Sequence, residues 1–285
     1  MNKTSQIKRV VAIHDISCMG RCSLTVALPI LSTLGIETII LPTSILSTHT
    51  SGFVGFTNLD LADETKKIID HWQNYPRKIN AIYSGFLGSI KQIEITKEYI
   101  NRMKKDSIIL IDPAMADNGK VYPIFNQEYV DKMIDLCKDA NIVVPNITEA
   151  CIMTNTNYLG NIQTKEQIEE LLNKIIDLGI EKVVLTSVSF NENEIGVATK
   201  EKGKETIYTM NQTISGYYHG TGDVYASALL GAYLNDNSLS DSAKIAADFI
   251  VNAINETIDK EDFDPKYGVN FELVLGDLIN KVKEK

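Results

Sequence analysis

Residues 217–234, YYHGTGDVYASALLGAYL, join a glycine-rich turn to an apolar pattern of helical period. Gly220 and Gly222 flank Thr221 in this turn, and Asp223 follows directly. The first backbone N–H groups of a helix have no partner within the helix, so the turn can bind an anion such as phosphate. Asp223 could cap the helix, or it could accept a proton from a substrate hydroxyl while the amides hold a transferred phosphoryl group.

Other familiar motifs of phosphate and metal chemistry are absent from the sequence. The pattern GxxxxGK[ST] does not occur, and GTGDVY lacks the third glycine of GxGxxG, which disfavours a P-loop kinase and a dinucleotide-binding enzyme. The histidines do not have the spacing of a zinc site. The four cysteines form neither a CxxC pair nor a disulfide framework: Cys18, Cys22, Cys137 and Cys151.

Length, charge and hydropathy exclude several classes of protein. The chain has 285 residues, a net charge of −9 and 44% hydrophobic residues, which suits a globular α/β protein. The acidic balance argues against binding to nucleic acid or to anionic membranes. No run reaches the roughly 18 apolar residues of a membrane span, and the N-terminal residues lack a signal-peptide core. We therefore expect a cytoplasmic protein with small-molecule ligands.

Short β-rich runs alternate with longer helical patterns. Strands are predicted at residues 8–15, 36–41, 79–85, 107–112, 141–146 and 181–187, with an antiparallel pair at 194–200 and 204–210. Helices are predicted at residues 20–35, 60–73, 93–105, 126–139, 147–154, 164–179, 221–235, 239–257 and 270–283. This alternation predicts an α/β fold, a three-layer α/β/α sandwich with a mostly parallel central sheet. No linker divides the chain, so we expect one domain, residues 1–285.

Ligands of open parallel sheets bind beyond the carboxyl ends of the strands. Polar or aromatic residues that follow the predicted strands are therefore candidate site residues: Asp15, Thr43, Ser47, His49, Thr50, Phe86, Asp112, Asn146, Glu149, Thr186 and Ser187. Residues 42–58 are rich in Ser, Thr and Gly and lack helical period, which fits either a flap over the site or a long loop, and a loop of this length is more often functional. Asn146 and Glu149 also fit a helix capping box, and both roles can hold together.

Six segments, in order, resemble motifs of one family. HGTGD resembles the GTGD signature of the ribokinase-like superfamily, and PTSILSTHTSG, YSGFLGS, DPAMADNGKVY, PNITEACIMT and VVLTS resemble segments of its vitamin B6 and pyrimidine kinases. The match covers nearly the whole chain. The S-x-H-T block in residues 42–52 favours the pyridoxal kinases over the sugar kinases. The resemblance implies a ribokinase-like kinase that transfers the ATP γ-phosphoryl group to the 5′-hydroxymethyl group of a B6 vitamer.

The resemblance also implies roles for individual residues. Asp223 matches the catalytic base, and Gly220, Thr221 and Gly222 match the anion hole. Residues matching the ATP and Mg²⁺ site are Asp112, Asn146, Glu149, Thr186 and Ser187, with Asp112 and Glu149 nearest the metal. Residues matching the vitamer site, together with Asp223, are Asp15, Cys22, Thr43, Ser47, His49, Thr50 and Phe86. Family members are commonly dimers, and many respond to K⁺.

Several positions depart from the family pattern. Asp15 stands where many pyridoxal kinases have serine, so it could accept a hydrogen bond from the vitamer ring. Phe86 replaces a frequent tyrosine, and Val144 replaces a threonine that some members link to K⁺. Two alternatives stay open: a hydroxymethylpyrimidine kinase with the same base and anion hole, and a non-catalytic binder of vitamers or nucleotides. The retained Asp223 disfavours the binder, since a binder needs no base there.

Overall fold

The computed structural model describes residues 7–50, 52–258, 260 and 263–284. Its main sheet is built from β1 (Arg9–Ser17), β2 (Glu37–Leu46), β3 (Asn58–Asp60), β4 (Ala81–Ser84), β5 (Ile108–Ile111), β8 (Ile142–Val143), β9 (Lys182–Asn191), β10 (Glu194–Glu201) and β11 (Ile207–Gln212). A small hairpin supplies β6 (Ala116–Asp117) and β7 (Lys120–Val121). The strand order in the main sheet is β11-β10-β9-β8-β5-β4-β1-β2-β3.

The helices connect these strands across both faces of the sheet. They are α1 (Leu24–Thr33), α2 (Ala62–Trp72), α3 (Ile90–Met103), α4 (Gln127–Cys137), α5 (Ile147–Met153), α6 (Lys165–Asp177), α7 (Thr221–Leu234), α8 (Leu239–Ile258) and α9 (Leu275–Lys283). Two short 3₁₀ turns, Pro265–Tyr267 and Phe271–Val274, precede α9. Within the described residues, none of the helices combines the length and the apolar character that a membrane crossing needs.

Buried apolar side chains form one cluster on each face of the sheet. Helices α2 to α6 pack on one face, where Ile69, Ile93, Val130, Ala150 and Ile168 belong to the same cluster. Helices α1, α7, α8 and α9 pack on the other face through Val26, Leu229, Ala246 and Leu278. Because the central strands are buried on both faces, they are near-continuous apolar runs in the sequence. The three-layer fold predicted from the sequence is confirmed.

The pairing of the strands places their carboxyl ends at one edge of the sheet. β2, β1, β4, β5, β8 and β9 are all parallel neighbours. Only the flanking strands β3, β10 and β11 pair antiparallel within the described part of this sheet. The predicted antiparallel pair is therefore confirmed as β10 and β11, and β10 also pairs with β9. The segments after β1, β2, β4, β5 and β8 emerge side by side.

Some predicted boundaries were wrong, for identifiable reasons. Helix 20–35 begins only at Leu24, because Ser23 has a positive φ of 55° that no helix accommodates. The predicted flap, residues 42–58, loses its first five residues to β2 and its last to β3, since β3 pairs back on β2. Ser51 of that flap lies outside the described residues. Helix 270–283 is split into a 3₁₀ turn and α9.

Candidate active site

The first turn of α7 lies at the carboxyl edge of the sheet. Gly220 precedes the helix with φ 74°, and the first helical bond runs from the Val224 N–H to the Gly220 carbonyl. The amides of Thr221, Gly222 and Asp223 come before that bond and are the donors of the helix N-terminus. A side chain at residue 220 would lie 1.9 Å from the Arg21 carbonyl oxygen, so only glycine fits there.

Asp223 projects from this turn into a buried polar environment. Its side chain is 19% exposed, and its Oδ2 accepts a 2.8 Å hydrogen bond from the Ser23 N–H. Burial raises the pKa of Asp223 to about 7, the Ser23 amide opposes the rise, and the charges of Asp112 and Asp15 add to it. A carboxylate with its pKa near neutrality is matched to general-base work at physiological pH.

His14 lies behind Asp223. Its Nδ1 is 3.9 Å from Asp223 Oδ1, and burial lowers the pKa of this imidazole to about 3, so the ring is neutral and the contact is no ion pair. The ring meets Tyr83 edge-on at 4.3 Å between centroids. Neither ring nitrogen of His14 has a hydrogen-bond partner in the described part of the chain.

Asp112 and Glu149 form an acidic pair at the same edge of the sheet. Asp112 Oδ1 accepts from the Ala114 N–H, while Oδ2 is directed toward the α7 turn and would lie 3.9 Å from a Cβ built on Gly222. Burial raises the pKa of Asp112, and the charge of Glu149 raises it further. Burial also raises the pKa of Glu149. A cation between these groups and a phosphate would relieve their mutual repulsion.

Glu149 is held by backbone amides on both oxygens. Its Oε1 accepts from the Met115 N–H at 2.9 Å, and its Oε2 accepts from the Asn146 N–H at 3.0 Å. The Asn146 side chain accepts from the Glu149 N–H in return, which confirms the capping box at the start of α5. Both oxygens of Glu149 are thus engaged by backbone amides, whereas Asp112 is engaged in this way through Oδ1.

The Mg²⁺ site implied by the sequence fits this arrangement only with further oxygen ligands. Among the residues that the structure describes, no group of three or more His, Cys, Asp or Glu side chains could hold a metal ion. Mg²⁺ commonly takes one or two carboxylates together with substrate phosphates and waters. Asp112, opposite the amides of α7, suits that coordination.

The loop after β2 is held against the α7 turn. Ser47 closes its base, because the Thr57 N–H donates to Ser47 Oγ at 2.9 Å. Nε2 of His49 lies 2.6 Å from the Lys266 carbonyl oxygen, and its ring lies 5.1 Å from that of His219, the residue before Gly220. His49 thus anchors the loop beside the anion hole.

The remaining predicted site residues differ in their burial and in their contacts. Thr50 and Ser187 are exposed, Phe86 is partly buried against Phe125, and Thr186 Oγ1 donates to the Pro145 carbonyl. Thr43 and Cys22 are buried, Thr43 with no hydrogen-bond partner for its hydroxyl among the described residues. All of these lie at the carboxyl edge or in the loops above it.

Sequence reasoning missed two residues that contact the candidate base. Ser23 was placed inside a helix, although its amide donates to Asp223 and its hydroxyl donates to Asp15 Oδ1 at 2.6 Å. His14 was not among the candidate residues, and it lies within β1. Neither contact has a local signal in the sequence, because each joins the N-terminal part of the chain to the distant Asp223.

The family of the protein follows from a direct match. Residues 28–266 match the sequence model of the phosphomethylpyrimidine kinase family. The chain belongs to this family. The match covers the described strands from β2 to β11 and the whole α7 turn. This member of the phosphomethylpyrimidine kinase family is therefore a kinase, as its sequence motifs indicated.

Solved structures resemble this family member over nearly its whole length. One is a protein from Bacteroides thetaiotaomicron named a putative phosphomethylpyrimidine kinase, crystallised with pyridoxal; it is 35% identical with a TM-score of 0.90, covering 96% of each chain. Pyridoxal kinase from Lactobacillus plantarum is 28% identical with a TM-score of 0.87, covering 97% of this chain and 98% of that one.

A more distant structure shares the fold alone. Pyridoxal kinase from Leishmania donovani, in complex with ADP and pyridoxamine, is 19% identical with a TM-score of 0.85, covering 95% of each chain. The resemblance to pyridoxal kinases that the sequence motifs carried is confirmed by these relatives.

Proposed function

We propose that this kinase transfers the γ-phosphoryl group of ATP to the 5′-hydroxymethyl group of a B6 vitamer: pyridoxal, pyridoxine or pyridoxamine. The observation that carries the proposal is Asp223, a carboxylate with its pKa raised to about 7, next to the amide donors of α7. ATP as the donor is supported by the ADP bound to the Leishmania donovani enzyme. Pyridoxal as an acceptor is supported by its presence with the Bacteroides thetaiotaomicron protein.

The transfer needs one proton acceptor and a site for negative charge. The vitamer hydroxyl oxygen attacks the γ-phosphorus, its proton passes to Asp223, and the bond to the β,γ-bridging oxygen breaks to release ADP. The amides of Thr221, Gly222 and Asp223 stabilise the charge on the transferred phosphoryl oxygens. Loss of the hydroxyl proton accompanies formation of the new O–P bond, so a base of moderate strength suffices.

Asp112 would hold Mg²⁺ on the phosphates, with Glu149 adding charge from the capped start of α5. The ion would supply charge neutralisation on the ATP oxygens. Asn146 keeps Glu149 in place, since its backbone and side chain both hydrogen-bond that residue. Thr186 and Ser187 lie in the middle of β9, where Thr186 forms a parallel bridge with Asn146, and they are proposed to line the nucleotide. K⁺ dependence stays a prediction.

A pyrimidine alcohol is the alternative acceptor, and the name of the matched family, phosphomethylpyrimidine kinase, supports a pyrimidine substrate. The mechanism at Asp223 would be the same with either substrate. The S-x-H-T segment around His49 and the pyridoxal found with a relative of 35% identity favour the vitamer. A non-catalytic binder is the third reading, and it predicts ligand binding without turnover.

The test is ATP-dependent phosphorylation of pyridoxal, pyridoxine, pyridoxamine and hydroxymethylpyrimidine, measured side by side at pH 8. Asp223→Asn is the test variant, and Asp106→Asn, in an exposed turn, is the matched control. Vitamer turnover that falls by about 10²–10⁴ only in Asp223→Asn supports the proposal. Turnover of the pyrimidine alone would replace the substrate and keep the mechanism, and binding without turnover would refute both.

We also propose a homodimer, with residues 1–285 acting as one kinase domain in the cytoplasm. The cytoplasm is supported by four cysteines without a disulfide. The dimer is supported by an exposed apolar pair on the β2–β3 edge, where Ile45 faces Leu59. Light scattering after size-exclusion chromatography should give the molar mass of two chains for the wild type. Leu59→Ser should shift the measured mass toward that of a single chain. A monomeric wild type would refute the dimer.

A further inference from the structure

Asp15 is enclosed by serines and does not face an open substrate pocket. It is 2% exposed, its Oδ1 accepts from Ser23 Oγ at 2.6 Å, and its Oδ2 accepts from Ser17 Oγ at 2.9 Å. Burial raises the pKa of Asp15, and the two serine hydroxyls oppose the rise. Both of its carboxylate oxygens are engaged within the protein, so a vitamer ring would have to displace one of these bonds to reach it.

Ser23 has a backbone conformation that glycine usually provides. Its φ of 55° and ψ of −128° match the first central position of a type II′ turn, where glycine dominates. Its hydroxyl does not cap α1, although the Ala27 N–H donates to its carbonyl at the start of that helix. A serine in such a conformation costs backbone strain, and strain of this kind concentrates at functional sites.

Ser23 joins two carboxylates through different groups. Its Oγ donates to Asp15 Oδ1, and its backbone N–H donates to Asp223 Oδ2 at 2.8 Å. The hydroxyl therefore fixes the orientation of the peptide whose amide orients the base. A glycine would accept the same φ and ψ without strain but would have no group to bind Asp15.

We propose that Asp15 and Ser23 are positioning residues for Asp223, and that Asp15 does not read the vitamer ring. Asp15 holds the Ser23 hydroxyl, and the Ser23 amide holds Asp223 facing the donors of α7. This inference rests on the proposed role of Asp223 as the base. Asp15 stands where many pyridoxal kinases have serine. Its role here is to position the base, and it does not select among the vitamers.

The two roles of Asp15 predict different kinetics. As a positioning residue, Asp15→Ala should lower kcat by about 10- to 100-fold, because small misplacements of a reacting group have effects of that order. KM values for the vitamers and ATP, and the Kd of pyridoxal without ATP, should change by less than about threefold, since Asp15 does not contact them. A ring-reading Asp15 predicts raised KM and Kd values and a changed ranking of the three vitamers.

Matched variants separate the hydroxyl from the charge. Asp15→Asn keeps an acceptor oxygen for the Ser23 hydroxyl and should restore most of the kcat lost in Asp15→Ala. Ser23→Gly keeps the amide and suits the backbone, yet should lower kcat by about tenfold through loss of the Oγ bond. Ser17→Ala removes the equivalent bond on the other oxygen of Asp15 and should leave kcat within about threefold of the wild type.

Hydrogen exchange of the Ser23 amide tests the inference without turnover. Asp15→Ala and Ser23→Gly should speed exchange of the residue 23 amide, and so should Asp223→Ala, which removes the acceptor of that amide. The inference would be overturned if Asp15→Ala left the protection of the Ser23 amide unchanged, or if it raised KM values while kcat stayed the same. Either result would count against the positioning role independently of the proposed function. Faster exchange in a protein whose wild type phosphorylates no vitamer would support the positioning and refute the proposed function.

Discussion

Replacing Asp223 with asparagine should make the protein more stable at alkaline pH while it abolishes transfer. The pKa of Asp223 is raised from 3.8 to about 7, so the folded state disfavours the ionised carboxylate. A difference of about 3 units corresponds to ~4 kcal/mol of lost folding free energy once the group is ionised. The folded state binds the extra proton between these two pKa values, so this loss develops as pH rises through that window and is complete above about pH 8.

Asparagine removes this penalty and keeps the local hydrogen bonds. Its oxygen can still accept from the Ser23 N–H, and its NH₂ group faces His14 Nδ1, which lies 3.9 Å from Asp223 Oδ1 and has no partner among the described residues. We therefore expect Asp223→Asn to raise the free energy of unfolding by about 2–4 kcal/mol at pH 8, which corresponds to roughly 4–8 °C in Tm. At pH 4 the free energy of unfolding should change very little.

The assay is urea unfolding of the wild type, Asp223→Asn and the exposed control Asp106→Asn at pH 4, 6 and 8. Asp112 and Glu149 are present in all three proteins, so the difference between variants reports the ionisation of Asp223 together with its charge coupling to Asp112 and Asp15. The expected result is a stability gain for Asp223→Asn that grows with pH, and a flat, near-zero difference for Asp106→Asn. A gain that does not depend on pH, or a loss at pH 8, would refute the reasoning about the buried carboxylate.

Three further predictions concern the same turn and its neighbours. The kcat of the wild type should rise with pH through about 7, as Asp223 ionises; Asp15→Asn should move this rise to lower pH, because the charge of Asp15 raises that pKa, and an unmoved pH–rate profile would contradict it. Gly220→Ala should lower the free energy of unfolding, measured in urea, by more than about 2 kcal/mol, since its Cβ would lie 1.9 Å from a carbonyl oxygen. Gly35→Ala, at φ 76° with open space around the Cβ, should lower it by only about 1–2 kcal/mol. Equal losses of stability would refute the steric reasoning. His49→Ala should raise the rate of ATP hydrolysis relative to phosphoryl transfer, because the loop would lose its anchor on the Lys266 carbonyl. The assay is the ratio of ADP to phosphorylated vitamer released. An unchanged ratio would show that the anchor does not exclude water.

The layered fold could be predicted because local patterns and tertiary burial agree along most of the chain. The strand around Ile109 is apolar on both faces, and helix 164–179 has an amphipathic stripe, a Thr164 cap and a glycine stop. The GTGD turn could be placed at a helix start for the same reason. Where propensity, capping and burial point to one structure, a single sequence is sufficient.

The connections around the base could not be predicted, because they depend on long-range approach. Ser23 lies in a run of apolar helical residues, and only the distant Asp223 and the nearby Asp15 explain its positive φ. The close approach of Gly220 to the Arg21 carbonyl joins the C-terminal part of the chain to its N-terminal part. No local periodicity encodes either contact.

Several departures from local rules fall at the carboxyl edge of the sheet. Asp15, Asp112, Glu149 and Asp223 are acidic groups taken out of water there, and burial raises the pKa of each. Ser23 adds backbone strain beside them. Hydrogen bonds to these carboxylates offset part of this cost, and the two apolar clusters must offset the rest. An acidic, strained edge opposite a row of amide donors is poorly suited to stability, and it matches the proposed step, in which the hydroxyl proton passes to Asp223 as the phosphoryl group is transferred.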